Sequence, residues 1–277
     1  MLASRASAAD IFVGPQYDST HVYVAPGDMD AFVKSFAATF GGAPSKPLTV
    51  NVLPVPNSTL SQYVMTPVGT LSVSGFLTPI PFPFGSERTG YLVTDMDKAI
   101  AAARASGAEV IVEPFKDPIG RDAVIRWPGD VTTQLYWHDT APNYPALKSV
   151  PDDRVDVSPD RADEFVRDFL RFSGGKVVSD DASANAGEIG RPHETYRRIR
   201  IESGFGRMQV LVTDGHLPYP FGRELTGYQV DDLAATLAKA KAAGAAVLSQ
   251  PATDRDTAIV QFPGGYIAEI HDLKKDR

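Results

Sequence analysis

A chain of 277 residues has room for about two domains, and 43% apolar residues supply cores to bury. A net charge of −7 without any basic run argues against nucleic acid as a partner, and the acidity reads as ordinary solubility. Cysteine is absent, which excludes disulfides, thiolate metal sites and cysteine nucleophiles and fits a reducing, cytoplasmic setting. No apolar run reaches membrane-spanning length, and the first nine residues lack a signal-peptide core.

Residues 1–16 read as a loose tail. Residues 20–25 alternate as a strand, with Val22 and Val24 on one face and His21 and Tyr23 on the other. Asp28 is placed to cap a helix reaching about Phe40, with Phe32 and Phe36 on its buried side and Gly41-Gly42 ending it. Extended segments near 47–54, 60–66 and 70–77 lead to a loop rich in proline and phenylalanine, 79–84. The order then restarts. Arg88 to Val93 is a strand, Asp95 opens a helix that stops near Gly107, and short strands follow at 110–112 and 123–127. The Pro128-Gly129 turn leads into a last strand, 131–137. Residues 1–138 thus hold two strand–helix–strand–strand–strand (βαβββ) units.

Residues 139–151, rich in Pro, Ala and Asn, read as a linker. Beyond it the pattern repeats. Arg154 to Val157 is a first strand, Phe165 and Phe169 echo Phe32 and Phe36, and Gly174-Gly175 echoes the glycine stop. The clearest copy is Phe-Gly-Ser-Glu-Arg-Thr-Gly-Tyr-Leu-Val at 84–93 against Phe-Gly-Arg-Glu-Leu-Thr-Gly-Tyr-Gln-Val at 221–230, an offset of 137 residues. The corresponding offset nearer the start is 133, so the second half carries four extra residues, placed in an apparently mobile Ser179–Arg191 loop.

Four βαβββ units in two pairs resemble the vicinal oxygen chelate superfamily, the glyoxalase, bleomycin-resistance and extradiol-dioxygenase group. The residues that carry the resemblance are Thr-His-Val-Tyr-Val (20–24), Thr-Gly-Tyr-Leu-Val-Thr-Asp-Met-Asp (89–97), Trp-Pro-Gly-Asp (127–130) before Gln-Leu-Tyr (134–136), and Phe-Pro-Gly-Gly-Tyr-Ile-Ala-Glu-Ile-His-Asp (262–272). It implies an α+β fold of two glyoxalase-like domains, 17–138 and 152–272, with a short tail at 273–277. Each domain would be a cupped, mostly antiparallel eight-stranded sheet with helices outside.

The resemblance also implies a divalent metal (Zn, Fe, Mn or Ni) held by first-strand histidines and last-strand carboxylates, with open positions for a substrate's oxygens. The ligand positions here carry His21, Arg88 and Gln134 in the first half, and Arg154, Leu225 and Glu269 in the second. His21, Gln134 and Glu269 are the candidate metal and catalytic residues, although joining them in one site requires the two cups to face each other. Arg cannot ligate, so Arg154 and Glu269 are expected to pair, a guanidinium standing in the metal's place. Tyr23, Arg88, Tyr136, Arg154 and His271 are the candidate substrate contacts. Each also has a plain structural reading: Arg88 either anchors an anionic group or holds Glu87, and His271 either lines the cup or lies exposed.

Two functions remain open. One is a lyase, isomerase or dioxygenase-type enzyme acting on a small oxygenated molecule in the first cup, with one divalent metal. The other is a metal-free binding protein like the bleomycin-resistance members. The partner in both is a small molecule, with a homodimer possible and no nucleic acid or membrane.

Overall fold

The computed structural model describes residues 11–252 and 256–272. The expected tail at 273–277, and the first ten residues of the N-terminal tail, lie outside these. The described part of that tail is packed. Ile11 is buried and Phe12 bridges to Val93.

The first half forms one nine-stranded sheet. Its strands are β1 (Ser19–Tyr23), β2 (Ala43–Pro44), β3 (Leu48–Val50), β4 (Thr59–Thr66), β5 (Gly69–Phe76), β6 (Arg88–Leu92), β7 (Glu109–Lys116), β8 (Gly120–Arg126) and β9 (Thr132–His138). They run in the order β2-β4-β5-β1-β6-β9-β8-β7, with β3 also paired to β4. Pairing is antiparallel except for β1 with β5 and β6 with β9. The expected 47–54 segment shrinks to β3, preceded by the two-residue β2.

The second half repeats the design. Its strands are β10 (Asp152–Val157), β11 (Lys176–Asn185), β12 (Thr195–Ser203), β13 (Gly206–Val212), β14 (Leu225–Val230), β15 (Ala246–Ser249), β16 (Thr257–Gln261) and β17 (Ile267–Asp272), in the order β11-β12-β13-β10-β14-β17-β16-β15. The expected mobile loop is mostly β11. Its register on β12 shifts twice, so surplus residues are absorbed as bulges in an edge strand.

Helices α1 (Met29–Phe40), α2 (Met96–Ala105), α3 (Ala162–Ser173) and α4 (Leu233–Ala242) follow the first strand of each unit. Asp95 and Asp232 cap α2 and α4, accepting from the backbone N–H of Lys98 and Ala235. Asp28 sits at the matching place on α1 without a side-chain capping bond, because a 3-10 turn, Pro26–Asp28, leads into that helix. Gly41 and Gly174 end α1 and α3 at φ 72° and 64°, where a side chain would be strained.

The helices lie outside the cups, yet they are buried between the two sheets. Two large apolar clusters form there, and each is shared by both halves. One joins α2, β6 and β8 to α3, β10, β12 and β13. The other joins α1, β1, β4 and β5 to α4, β14, β16 and β17. Phe36 of α1 meets Tyr228 and Phe262 of the other half at ring separations of 5.5 and 5.1 Å, and Trp127 meets Phe172 at 5.2 Å. The 139–151 segment is strapped down through Lys148 N–H to the Pro67 carbonyl (2.7 Å) and Ser149 Oγ to the Gln229 carbonyl (2.7 Å).

A polar seam runs where β1 and β6 back onto β10 and β14. Thr20 and Thr226 share a hydroxyl bond of 3.0 Å, Thr226 donates to Glu87 at 3.1 Å, and Tyr91 donates to Asp153 at 3.2 Å. These residues alternate with the cup-facing ones, so the two cups open away from each other.

Candidate functional site

In the first cup, β1 supplies His21 and Tyr23, β5 supplies Ser72 and Ser74, and β9 supplies Gln134, Tyr136 and His138. With Tyr63 of β4 and Asp122 of β8 they surround a cavity of about 130 Å³. Leu48, Val50, Leu53, Phe76 and Phe84 add apolar walls, and Ser45, Lys46, Ser61 and Asp117 add polar ones. Gly90 of β6 makes room for the imidazole, since a Cβ there would lie 2.4 Å from His21 Nε2. The His21 and Tyr136 rings meet edge-on at 6.0 Å, and Tyr23 stacks on Phe76 at 6.0 Å.

Burial, assisted by the nearby Arg88 charge, lowers the His21 pKa to about 3, so the ring is neutral at pH 7. Asp122 goes the other way. Burial and the Asp117 charge raise its carboxyl well above the ordinary range, against a hydrogen bond from Gln134. Arg88 is 1% exposed. One of its terminal nitrogens donates to the Pro83 carbonyl, and its guanidinium carbon lies 5.6 Å from the Phe84 ring centre.

The second cup is filled by its own side chains. Arg154 Nε meets Glu269 Oε2 at 3.0 Å, with side chains 8% and 2% exposed. His271 Nδ1 lies 3.1 Å from the same Glu269 oxygen and its Nε2 lies 3.7 Å from Asp152. His271 is therefore buried, and the exposed reading of it is replaced. Arg207 and Gln209 reach Asp152 at 2.7 and 3.1 Å. Above this floor, Ile189, Tyr196 and Leu211 pack with Leu217, while Leu225, Ile259 and Ile267 pack with Phe221.

No family model and no curated protein matches the sequence. Solved structures do match. A mutant 4-hydroxymandelate synthase from Streptomyces coelicolor aligns over 93% of this chain and 91% of its own, at 15% identity and a TM-score of 0.61. The Mn(II)-bound glyoxalase from Novosphingobium aromaticivorans aligns over 95% and 81%, at 17% identity and a TM-score of 0.52. A fusion of a xylose isomerase-like barrel with 4-hydroxyphenylpyruvate dioxygenase aligns over 94% of this chain and 48% of its own, at 12% identity and a TM-score of 0.52.

The chain has the vicinal oxygen chelate fold.

Within that vicinal oxygen chelate fold, the candidate residues fall into two groups. His21, Tyr23, Gln134 and Tyr136 share the first cup, with Arg88 behind Phe84. Arg154, Glu269 and His271 share the second. The set His21, Gln134 and Glu269 is not brought together, because the cups lie on opposite outer faces of the molecule. The donor chemistry of the first cup does not match a tight divalent centre. It offers one imidazole, His21, and one amide, Gln134, from the expected ligand positions, and Arg88 adds a cation alongside. Among the described residues, no three His, Cys, Asp or Glu are grouped to hold a metal ion.

Asp122, Tyr63 and His138 were missed as cup residues from the sequence. Asp122 left one signal, the lone acid of its strand, in phase with Val124.

Proposed function

We propose that the first cup is the working site of a glyoxalase-like enzyme, a lyase or isomerase that moves a proton on a small oxygenated organic molecule. One observation carries this reading: the neutral imidazole of His21 and the carboxyl of Asp122, whose pKa burial raises, wall the same cavity. The pair offers a proton acceptor and a proton donor at one pH, which is what enolisation of a carbonyl compound asks of a site. Gln134 orients Asp122, and Tyr136 braces His21 by its ring edge. The aromatic and aliphatic wall supplies affinity and keeps water out. Arg154, Glu269 and His271 act in this reading as the floor of a supporting half. The likeness of the fold to a glyoxalase and to a synthase agrees with small-molecule chemistry in a cup.

The test is proton exchange. Small carbonyl and 2-hydroxycarbonyl compounds are incubated with the protein in D2O, and loss of the α-proton signal is followed by NMR. Wild type accelerates exchange in at least one compound, and His21→Gln and Asp122→Asn each slow it by about a hundredfold or more. Exchange that persists unchanged in both variants removes the reading.

A second reading is favoured by the His21 pKa of about 3, which makes the ring a weak base in the unliganded cup. In it the chain is a metal-free binding protein. Tight ligand binding in calorimetry, without exchange or turnover of that ligand, would support it.

A further inference from the structure

The two cups differ in how they balance a buried guanidinium. In the second, β14 and β17 run parallel with Gly227 opposite Glu269, and Glu269 meets Arg154 at 3.0 Å. In the first, β6 and β9 pair in the same register, Gly90 opposite Gln134. An amide stands where the second cup has its carboxylate. Yet the first cup has its own guanidinium, Arg88, which is 1% exposed. Its Nε and Nη1 are buried and have no hydrogen-bond partner in the protein, and neither has Gln134 Oε1.

The acids nearby do not serve Arg88. Glu87 turns to Thr226 across the seam between the halves. Asp122 is held by Gln134. Glu224 feels the Arg88 charge, but burial and the charges of Asp153 and Glu87 raise its carboxyl pKa well above the ordinary value. A buried cation without a counter-charge is strongly disfavoured. A guanidinium with two free N–H directions is a natural partner for a carboxylate.

We propose that the first cup takes a small organic carboxylate, its charge met by Arg88 and its body by the apolar wall. This deepens the functional reading above and rests on it. Phe84 both lines the cavity and covers the guanidinium, so the carboxylate reaches Arg88 past that ring. Phe84 belongs to the 79–84 loop, where Phe82 is 88% exposed. A cavity of about 130 Å³ is of the size that holds one ring or a short branched chain. Gln134 Oε1, an acceptor, favours ligands that carry a hydroxyl or N–H near the acid group. The bound anion would also offset the Arg88 charge that helps depress His21, so the imidazole gains basicity when the ligand arrives.

The test uses the full chain with benzoate, phenylacetate and 4-methylpentanoate, each beside its uncharged amide, in calorimetry and thermal melts. At least one acid should bind and raise the melting temperature, with its amide roughly thirtyfold weaker or more. Arg88→Leu copies Leu225, the buried residue at the same place in the second half. It should fold, melt no lower than wild type, and lose the preference for the acid. Arg88→Lys should keep part of it. In wild type, acid binding should raise the pH at which the His21 ring titrates in NMR. Acids and amides binding alike, or a preference that survives Arg88→Leu, would overturn the carboxylate while leaving the cup as a ligand site. Binding of neither class would overturn both.

Discussion

Arg154 and Glu269 illustrate what a single pair settles in this fold. Their side chains are 8% and 2% exposed, so neither charge has water to fall back on. Arg154→Met removes the guanidinium that meets the Glu269 carboxylate at 3.0 Å. A loss of about 3–5 kcal/mol is expected in denaturant melts at neutral pH. An unchanged midpoint at pH 7 would mean the pair contributes nothing. This pairing was legible in the sequence, because an arginine stood where the resemblance called for a metal ligand and a glutamate stood at the facing position. The lack of any such partner for Arg88 was not legible. Whether Glu87 points into the cup or across the seam depends on how the two halves pack, which no local pattern encodes.

At the scale of elements, α1 belongs as much to the second half as to the first. Phe36 is fully buried and its ring contacts include Tyr228, Phe262 and Tyr266, all of the other half. Phe36→Ala should cost about 3–5 kcal/mol. The loss should appear as one cooperative transition reported equally by probes in each half. Two separate transitions, with the second half unaffected, would contradict the shared core. The strands and helices were largely readable from period and from the 137-residue repeat. The errors fall at edges. β11 was hidden because Ser, Asp and Ala on an exposed edge strand look like a loop, and its pairing comes from β12 rather than its own propensity. Asp28 looked like a cap because the repeat aligns it with Asp95, yet the preceding Pro26 changes the entry to the helix.

Across the whole molecule, the halves meet through a seam of acids as well as through apolar clusters. Glu87, turned toward Thr226 and Tyr266, has a pKa pushed by burial from 4.5 up to about 8, and Asp153 is raised to about 6. A carboxyl whose folded pKa is raised stabilises below its unfolded value and loses that contribution as pH climbs through the folded one. The lowered pKa values of His21 and His138 act in the opposite sense, but only below about 6.5, where unfolded histidines take up protons. Between pH 6.5 and 8 the acids dominate, so stability should decline across that window. Glu87→Gln should flatten the decline, and a flat wild-type profile would remove Glu87 from the account. The mutual packing has a further outcome during synthesis. Helix α1 docks on Phe262 and Tyr266, which precede β17 and lie far along the chain from it. During synthesis, that helix therefore keeps an uncovered apolar face until the segment carrying Phe262 and Tyr266 has emerged. The slow step of folding is then the closure of this long-range contact.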